Sequence, residues 1–134
     1  MVPFSPLGRA FLTGKSTDVT QLAEGDLRTT IARPRFEPEA FEQNKKLLVP
    51  FAEIAEQNNC SMAQLALAWL LHRQTSVPIP GTKHIDFMKE NAAAAKVSLS
   101  DETVNTLDKL INDVTVVGDR YTKERMAESD AERD

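Results

Sequence analysis

A chain of 134 residues with 41% hydrophobic and 27% charged side chains has the makeup of one globular domain or part of one, without low-complexity bias. Its net charge of -4 disfavours a nucleic-acid surface, and its single cysteine, Cys60, rules out an internal disulfide and fits a reducing compartment. The longest apolar run, residues 65–71, is far too short to span a bilayer, and the first residues lack a basic, apolar leader, so the expectation is a cytoplasmic protein with no membrane partner.

Residues 2–4 read as a short strand. Ser5-Pro-Leu-Gly8 breaks it, because proline removes a donor and glycine permits unusual φ. Residues 9–12 form at most a helical turn, ended by Thr13-Gly14-Lys15, and residues 16–36 show no sustained period and read as a long loop. Glu37-Pro38-Glu39 opens a helix, with proline in the first turn and acids near the positive dipole end. Phe41, Leu47, Leu48, Phe51, Ile54 and Ala55 then make one apolar stripe running to about Asn58, with Pro50 predicting a kink or a break into two helices. Glu53 and Glu56 fall on its wet face.

After an Asn58-Asn59-Cys60 turn, Ser61 and Gln64 have capping-box spacing, and residues 62–73 form an Ala- and Leu-rich helix apolar on most sides, with Trp69 in the core. His72, at its end, suits the negative end of the helix dipole. Residues 77–79 are the second strand; Pro78 and Pro80 fit a strand end better than its middle. A helix follows over about 84–95. Ser100 caps a last one that carries Val104, Leu107, Leu110 and Ile111 on one face. Gly118-Asp-Arg-Tyr121 makes a turn, and the charged run 124–134 is weakly helical or frayed. Two strands separated by helices imply a parallel crossover, and two parallel strands alone make no stable sheet, so the chain reads as a piece of something larger.

The chemistry gathers at Val77-Pro-Ile-Pro-Gly81-Thr-Lys83-His-Ile-Asp-Phe-Met-Lys-Glu90-Asn91. A strand-to-helix turn aims backbone N–H groups and a positive dipole end at one spot, where Thr82 adds a hydroxyl, Lys83 a fixed charge and His84 a titratable one. That suits a phosphate, yet such turns are common in α/β proteins that bind none. The segment becomes informative only beside a second one near the N-terminus.

That second segment, Phe4-Ser-Pro-Leu-Gly-Arg-Ala-Phe-Leu-Thr-Gly-Lys15, resembles the seventh-strand motif of the aldo-keto reductases. Pro34-Arg-Phe36, Gln64-Leu-Ala-Leu-Ala-Trp69-Leu-Leu, Ile79-Pro-Gly-Thr-Lys83 through Glu90-Asn91, and Gly118-Asp-Arg-Tyr121 follow in that family's order, over essentially the whole chain. The resemblance implies α/β architecture, a partial (β/α)8 TIM barrel. Residues 1–134 would be its C-terminal segment: the last two βα units plus an extra C-terminal helix, mostly helical in this fragment. A whole barrel of this kind takes about 250 residues. It also implies NADP(H) as cofactor, a small carbonyl compound as substrate, and hydride transfer between them. The family's catalytic Asp, Tyr, Lys and His belong to earlier strands, so no catalytic residue is assigned here.

By the same resemblance Ser5, Pro6, Leu7 and Gly8 line the pyrophosphate and ribose, and Lys15 reaches the phosphates from its loop. Gly81 lets the backbone approach. Thr82, Lys83 and His84 face the adenosine 2′-phosphate, and Glu90 and Asn91 hydrogen-bond the adenine. Two positions depart from the family's pattern: His84 replaces a common Arg, and Phe87 stands where others carry Arg or Gln, suggesting packing on the adenine. Arg35 and the tail around Tyr121 supply at most the rim of a substrate pocket.

Without the resemblance, His84 is a surface residue, Lys15 a solvated loop end, and Tyr121 a tail residue with no catalytic partners nearby in sequence. Cys60 has no basic neighbour to favour a thiolate. No metal-ligand spacing, nucleophile elbow or P-loop occurs. Three roles compete: the NADP-binding end of an oxidoreductase, inactive by itself; a non-catalytic fragment that self-associates or complements an N-terminal chain; and a weak nucleotide binder.

Overall fold

Residues 1–15, 18–73 and 75–128 are described by a computed structural model. Helix α1 (Pro38–Gln57) starts on a proline, with Glu37 as its N-cap and an Arg33–Glu37 ion pair one turn back. Of the two outcomes predicted at Pro50, a kink or a break, the break does not occur, and α1 runs through it as one helix. Phe41 and Phe51, 1% and 0% exposed, lie on one stripe on either side of the proline. Burying two such side chains, about 1.5–3 kcal/mol each, offsets the roughly 3 kcal/mol that an interior proline costs.

Helix α2 (Met62–His72) is the centre of the fold. Its capping box forms as the spacing predicts: Ser61 Oγ accepts from the Gln64 amide at 3.2 Å, and Gln64 Oε1 accepts from the Ser61 amide at 3.0 Å. Ala63, Leu65, Ala66, Leu67 and Ala68 are all buried, because α2 meets α1, helix α3 (Ile85–Ala93), helix α4 (Asp101–Leu110) and the 3-10 turns Phe11–Thr13 and Ala94–Lys96. The three small alanines among them allow that close approach on several sides. Phe51, Ala55, Leu99, Val104 and Leu107 form the core with Leu65, Ala66 and Ala68. Ser100 caps α4, accepting from the Thr103 amide at 3.1 Å. Trp69 packs on this core but keeps its indole N–H on Asp108, at 2.9 Å. His72 pairs with Asp101 at 3.1 Å.

Two expectations are corrected. Residues 2–4 and 77–79 do not form strands; among the described residues the only β pairing is a single parallel bridge, Phe4 with Ile79. The parallel direction holds: the Val77 and Ile79 amides donate to the Met1 and Pro3 carbonyls at 2.9 and 3.2 Å. Pro3, Pro78 and Pro80 carry no N–H to extend the ladder. The loop read over residues 16–36, of which 16 and 17 lie outside the described residues, is a loop built from turns. Consecutive turns are closed by the Asp26, Thr29, Ala32 and Arg33 amides, and Arg33–Arg35 is a 3-10 turn. Asp26 and Arg28 stiffen it with a two-point fork at 2.9 and 2.7 Å. The helix predicted over 84–95 is divided into α3 and the 3-10 turn. In the tail, helix α5 (Lys123–Met126) is one turn long, and residues 129–134 lie outside the described residues.

Candidate functional site

The bridge between Phe4 and Ile79 brings the two chemically rich segments side by side. Immediately beyond it, both chains turn away and leave a cleft of about 400 Å³. Ser5, Pro6, Leu7 and Lys15 line one wall; Gly81, Thr82, Phe87, Glu90 and Asn91 line the other. Gly8, Lys83 and His84 are not among its lining residues, and Lys83 and His84 are exposed beside it. Ser5 therefore shares a cleft with Gly81 and Thr82, the two residues just ahead of Lys83.

The first wall is a tight, strained turn. Ser5, Arg9 and Ala10 have φ of 48°, 55° and 70°, in the left-handed region that non-glycine residues avoid at a cost of about 1–2 kcal/mol each. Main-chain bonds hold it: Gly8 N–H to Ser5 O at 2.9 Å, and Leu12 N–H to Leu7 O at 3.1 Å. Leu7 and Leu12 anchor it on the core. Strain maintained by surrounding structure is characteristic of binding turns.

The second wall is the start of α3. Thr82 Oγ accepts from the His84 amide at 3.1 Å, which fixes the entry to the helix. His84 is the N-cap and makes no side-chain cap bond. The first-turn amides are thus left to another acceptor, although Asp86 also lies in that turn. Gln64 ties α3 to α2, donating to the Glu90 carbonyl at 3.2 Å.

Lys15 links the walls. Its ammonium lies 4.1 Å from the centroid of the Phe87 ring and 3.7 Å from Glu90 Oε2. The ring of His84 meets the edge of Phe87 at 5.3 Å. The Lys15 side chain is 58% exposed, so its pairing with Glu90 is worth at most about 1 kcal/mol. An anion entering the cleft can draw Lys15 away at little cost.

Sequence reasoning did not assign Arg9, Ala10, Thr13, Ala63 and Pro80, which also line the cleft. Arg9 and Ala10 directly follow the Ser-Pro-Leu-Gly turn, but their left-handed backbone has no signature in those residue types. Arg9 also reaches the tail: its guanidinium carbon sits 4.9 Å from the Tyr121 ring centroid. The tail is pinned by Asn44, whose carboxamide pairs with both main-chain groups of Val117, and by Arg35, whose Nε–H donates to the Gly118 carbonyl at 3.0 Å. Burial pushes the Cys60 thiol up from its ordinary pKa, and its Sγ lies 3.6 Å from the Ala55 carbonyl, an arrangement that keeps the thiolate form scarce. Among the described residues no His, Cys, Asp and Glu side chains gather as a metal site, and no helix is long and apolar enough to cross a membrane.

The model of the aldo/keto reductase family matches residues 1–112. An aldo-keto reductase of Schizosaccharomyces pombe whose name specifies NADP(+) is 41% identical over 122 residues, covering 90% of this chain and 35% of the relative. An aldo-keto reductase of Strobilurus tenacellus is 35% identical over 124 residues, covering 92% of this chain and 36% of the relative. The chain spans little more than a third of the length of these curated relatives.

Proposed function

The chain belongs to the aldo/keto reductase family, and from that premise we propose that it is the NADP(H)-binding C-terminal part of an oxidoreductase that reduces aldehydes or ketones to alcohols. Residues 1–134 correspond to the seventh and eighth βα units of a (β/α)8 barrel and the segment that follows them. The parallel bridge between Phe4 and Ile79 supports this, being the pairing that neighbouring barrel strands make.

The observation that carries the reading is the shared cleft: the 5–8 turn and the 81–82 turn, far apart in sequence, line one groove. Its residues fit a phosphorylated dinucleotide. Pro6, Leu7, Pro80 and Phe87 offer apolar surface for sugar and base, while Ser5, Thr82 and Asn91 offer polar groups. Lys15 at the cleft and Lys83 beside it supply positive charge where phosphates would lie. Bound NADPH supplies the hydride for the carbonyl carbon. Lys83 and His84 at the open end of α3 favour the form with a 2′-phosphate. Ser5, Pro6, Leu7, Gly8 and Lys15 hold the pyrophosphate side, and Phe87, Glu90 and Asn91 hold the adenine side.

No residue of this chain is assigned as the acid that protonates the carbonyl oxygen, so the chain alone has no turnover. Much of the dinucleotide's contact surface in the family belongs to earlier strands, and the affinity expected of the chain alone is no better than about millimolar. Calorimetric titration with NADPH, NADH and the Lys83→Ala variant tests this. NADPH binding that exceeds NADH binding and falls to its level in Lys83→Ala supports the assignment; equal affinities in all three titrations sink it.

A second reading is favoured by one observation. Val2, Phe4, Val77 and Ile79, around the bridge, are 62%, 53%, 64% and 53% exposed. An apolar edge with unpaired main chain associates with a further strand. In that reading the chain is a non-catalytic fragment requiring a partner chain. Sizing chromatography discriminates, since a stable monomer with cooperative melting argues against any missing partner.

A further inference from the structure

Arg9 and Arg35 together line a small cavity of about 100 Å³ beneath the tail, beside Phe36, Asn44 and Leu47. Arg120 does not line it, but lies two residues beyond the Gly118 carbonyl that Arg35 holds, close enough for its charge to act on Arg35. None of the three arginines forms an ion pair with a carboxylate among the described residues. Burial first, then repulsion from Arg120 and Arg9, pushes Arg35 below the ordinary guanidinium pKa, against weaker opposition from Asp113 and Asp119. Gathering like charges around a half-buried guanidinium is costly unless an anion completes the group. Planar guanidinium forks suit carboxylate and phosphate oxygens. Arg9 also lines the dinucleotide cleft, so the cluster joins the place where a cofactor would lie to the place where the tail closes over.

We infer that Arg9 and Arg35, with the charge of Arg120 nearby, form a site for the carboxylate or phosphate of the carbonyl substrate, so that the preferred substrates are anionic aldehydes or ketones. The substrate assignment rests on the oxidoreductase reading; the anion site itself does not. The cofactor's own phosphates are the other source of such an anion. Arg35 is not among the residues lining the dinucleotide cleft, which favours the substrate.

The test is an NMR titration of the 15N-labelled chain, reading arginine Nε–H signals. The probes are succinate, its neutral counterpart succinamide, and NADPH. Succinate is expected to shift Arg9 and Arg35 saturably, with affinity about tenfold or more above succinamide. Arg9→Gln and Arg35→Gln should each weaken it about tenfold, and Arg35→Lys should restore part of the loss. Arg73→Gln, whose partner is Asp108 on α4, should leave it unchanged. Arg120→Gln, an exposed position, carries the test if the half-buried Arg35 variants lose their fold. An equal response to succinamide, or succinate binding that survives Arg9→Gln and Arg120→Gln, overturns the site. Competition between NADPH and succinate hands the anion to the cofactor and overturns the substrate assignment; simultaneous binding supports it. Succinate binding without NADPH binding defeats the cofactor reading and leaves the anion site standing.

Discussion

Asn44 is a polar side chain on α1, yet it is 3% exposed. Its Nδ2 donates to the Val117 carbonyl at 2.9 Å and its Oδ1 accepts from the Val117 amide at 2.8 Å, the pairing a strand neighbour would make. Asn44→Ala removes both bonds and strands two main-chain groups that only partly regain water. At about 1 kcal/mol net per bond, plus incomplete resolvation, the loss is about 2–3 kcal/mol. Urea unfolding followed by Trp69 fluorescence reads the total, and amide exchange at Val117 reads the local part. Asn44→Asp should not rescue it, because a carboxylate faces the Val117 carbonyl. A loss below about 0.5 kcal/mol, with Val117 still protected, would refute the claim that Asn44 holds the tail.

Gly118 has φ of 89°, and a Cβ there would lie 2.5 Å from the Pro34 carbonyl oxygen, so Gly118→Ala should cost more than about 2 kcal/mol. Gly25→Ala is its control: φ is 79° but nothing lies within 4 Å, so urea unfolding should show only the conformational cost of about 1–2 kcal/mol. The Arg28 hydrogen bonds hold Asp26 at a pKa of about 2, below its ordinary 3.8. A depressed carboxyl stabilises the fold above the ordinary value and loses that contribution as pH falls toward 2. Asp26→Asn should therefore flatten the acid limb of the stability profile over that interval, and an unchanged limb would show that the fork does not form.

The helices were legible because their signals are local. Ser61 with Gln64, Ser100 ahead of an acidic first turn, and Pro38 behind Glu37 each state where a helix begins, and the structure starts helices there. The strands were legible only as extended, apolar stretches, since pairing depends on what lies alongside. With prolines at residues 3, 78 and 80, what remains is one bridge. Pro50 does not divide its helix because propensity is local, whereas the burial of Phe41 and Phe51 that overrides it is not. The gathering of Ser5, Pro6, Leu7 and Lys15 with Gly81 and Thr82 followed from a resemblance, since no periodicity brings residues so far apart together. The contact of Lys15 with Phe87 and Glu90, the Arg9–Tyr121 stacking and the Asn44 clamp had no signature, because each joins side chains from segments distant in sequence.

If two remote turns serve one phosphorylated dinucleotide, both respond to it, and backbone amide shifts of the labelled chain under an excess of NADPH test this most directly. Concerted, saturable shifts are expected at Ser5, Leu7, Gly8 and Lys15 and at Gly81, Thr82, Lys83 and His84, with smaller ones under NADH. Shifts confined to one of the two segments, or equal for the two dinucleotides, would contradict it.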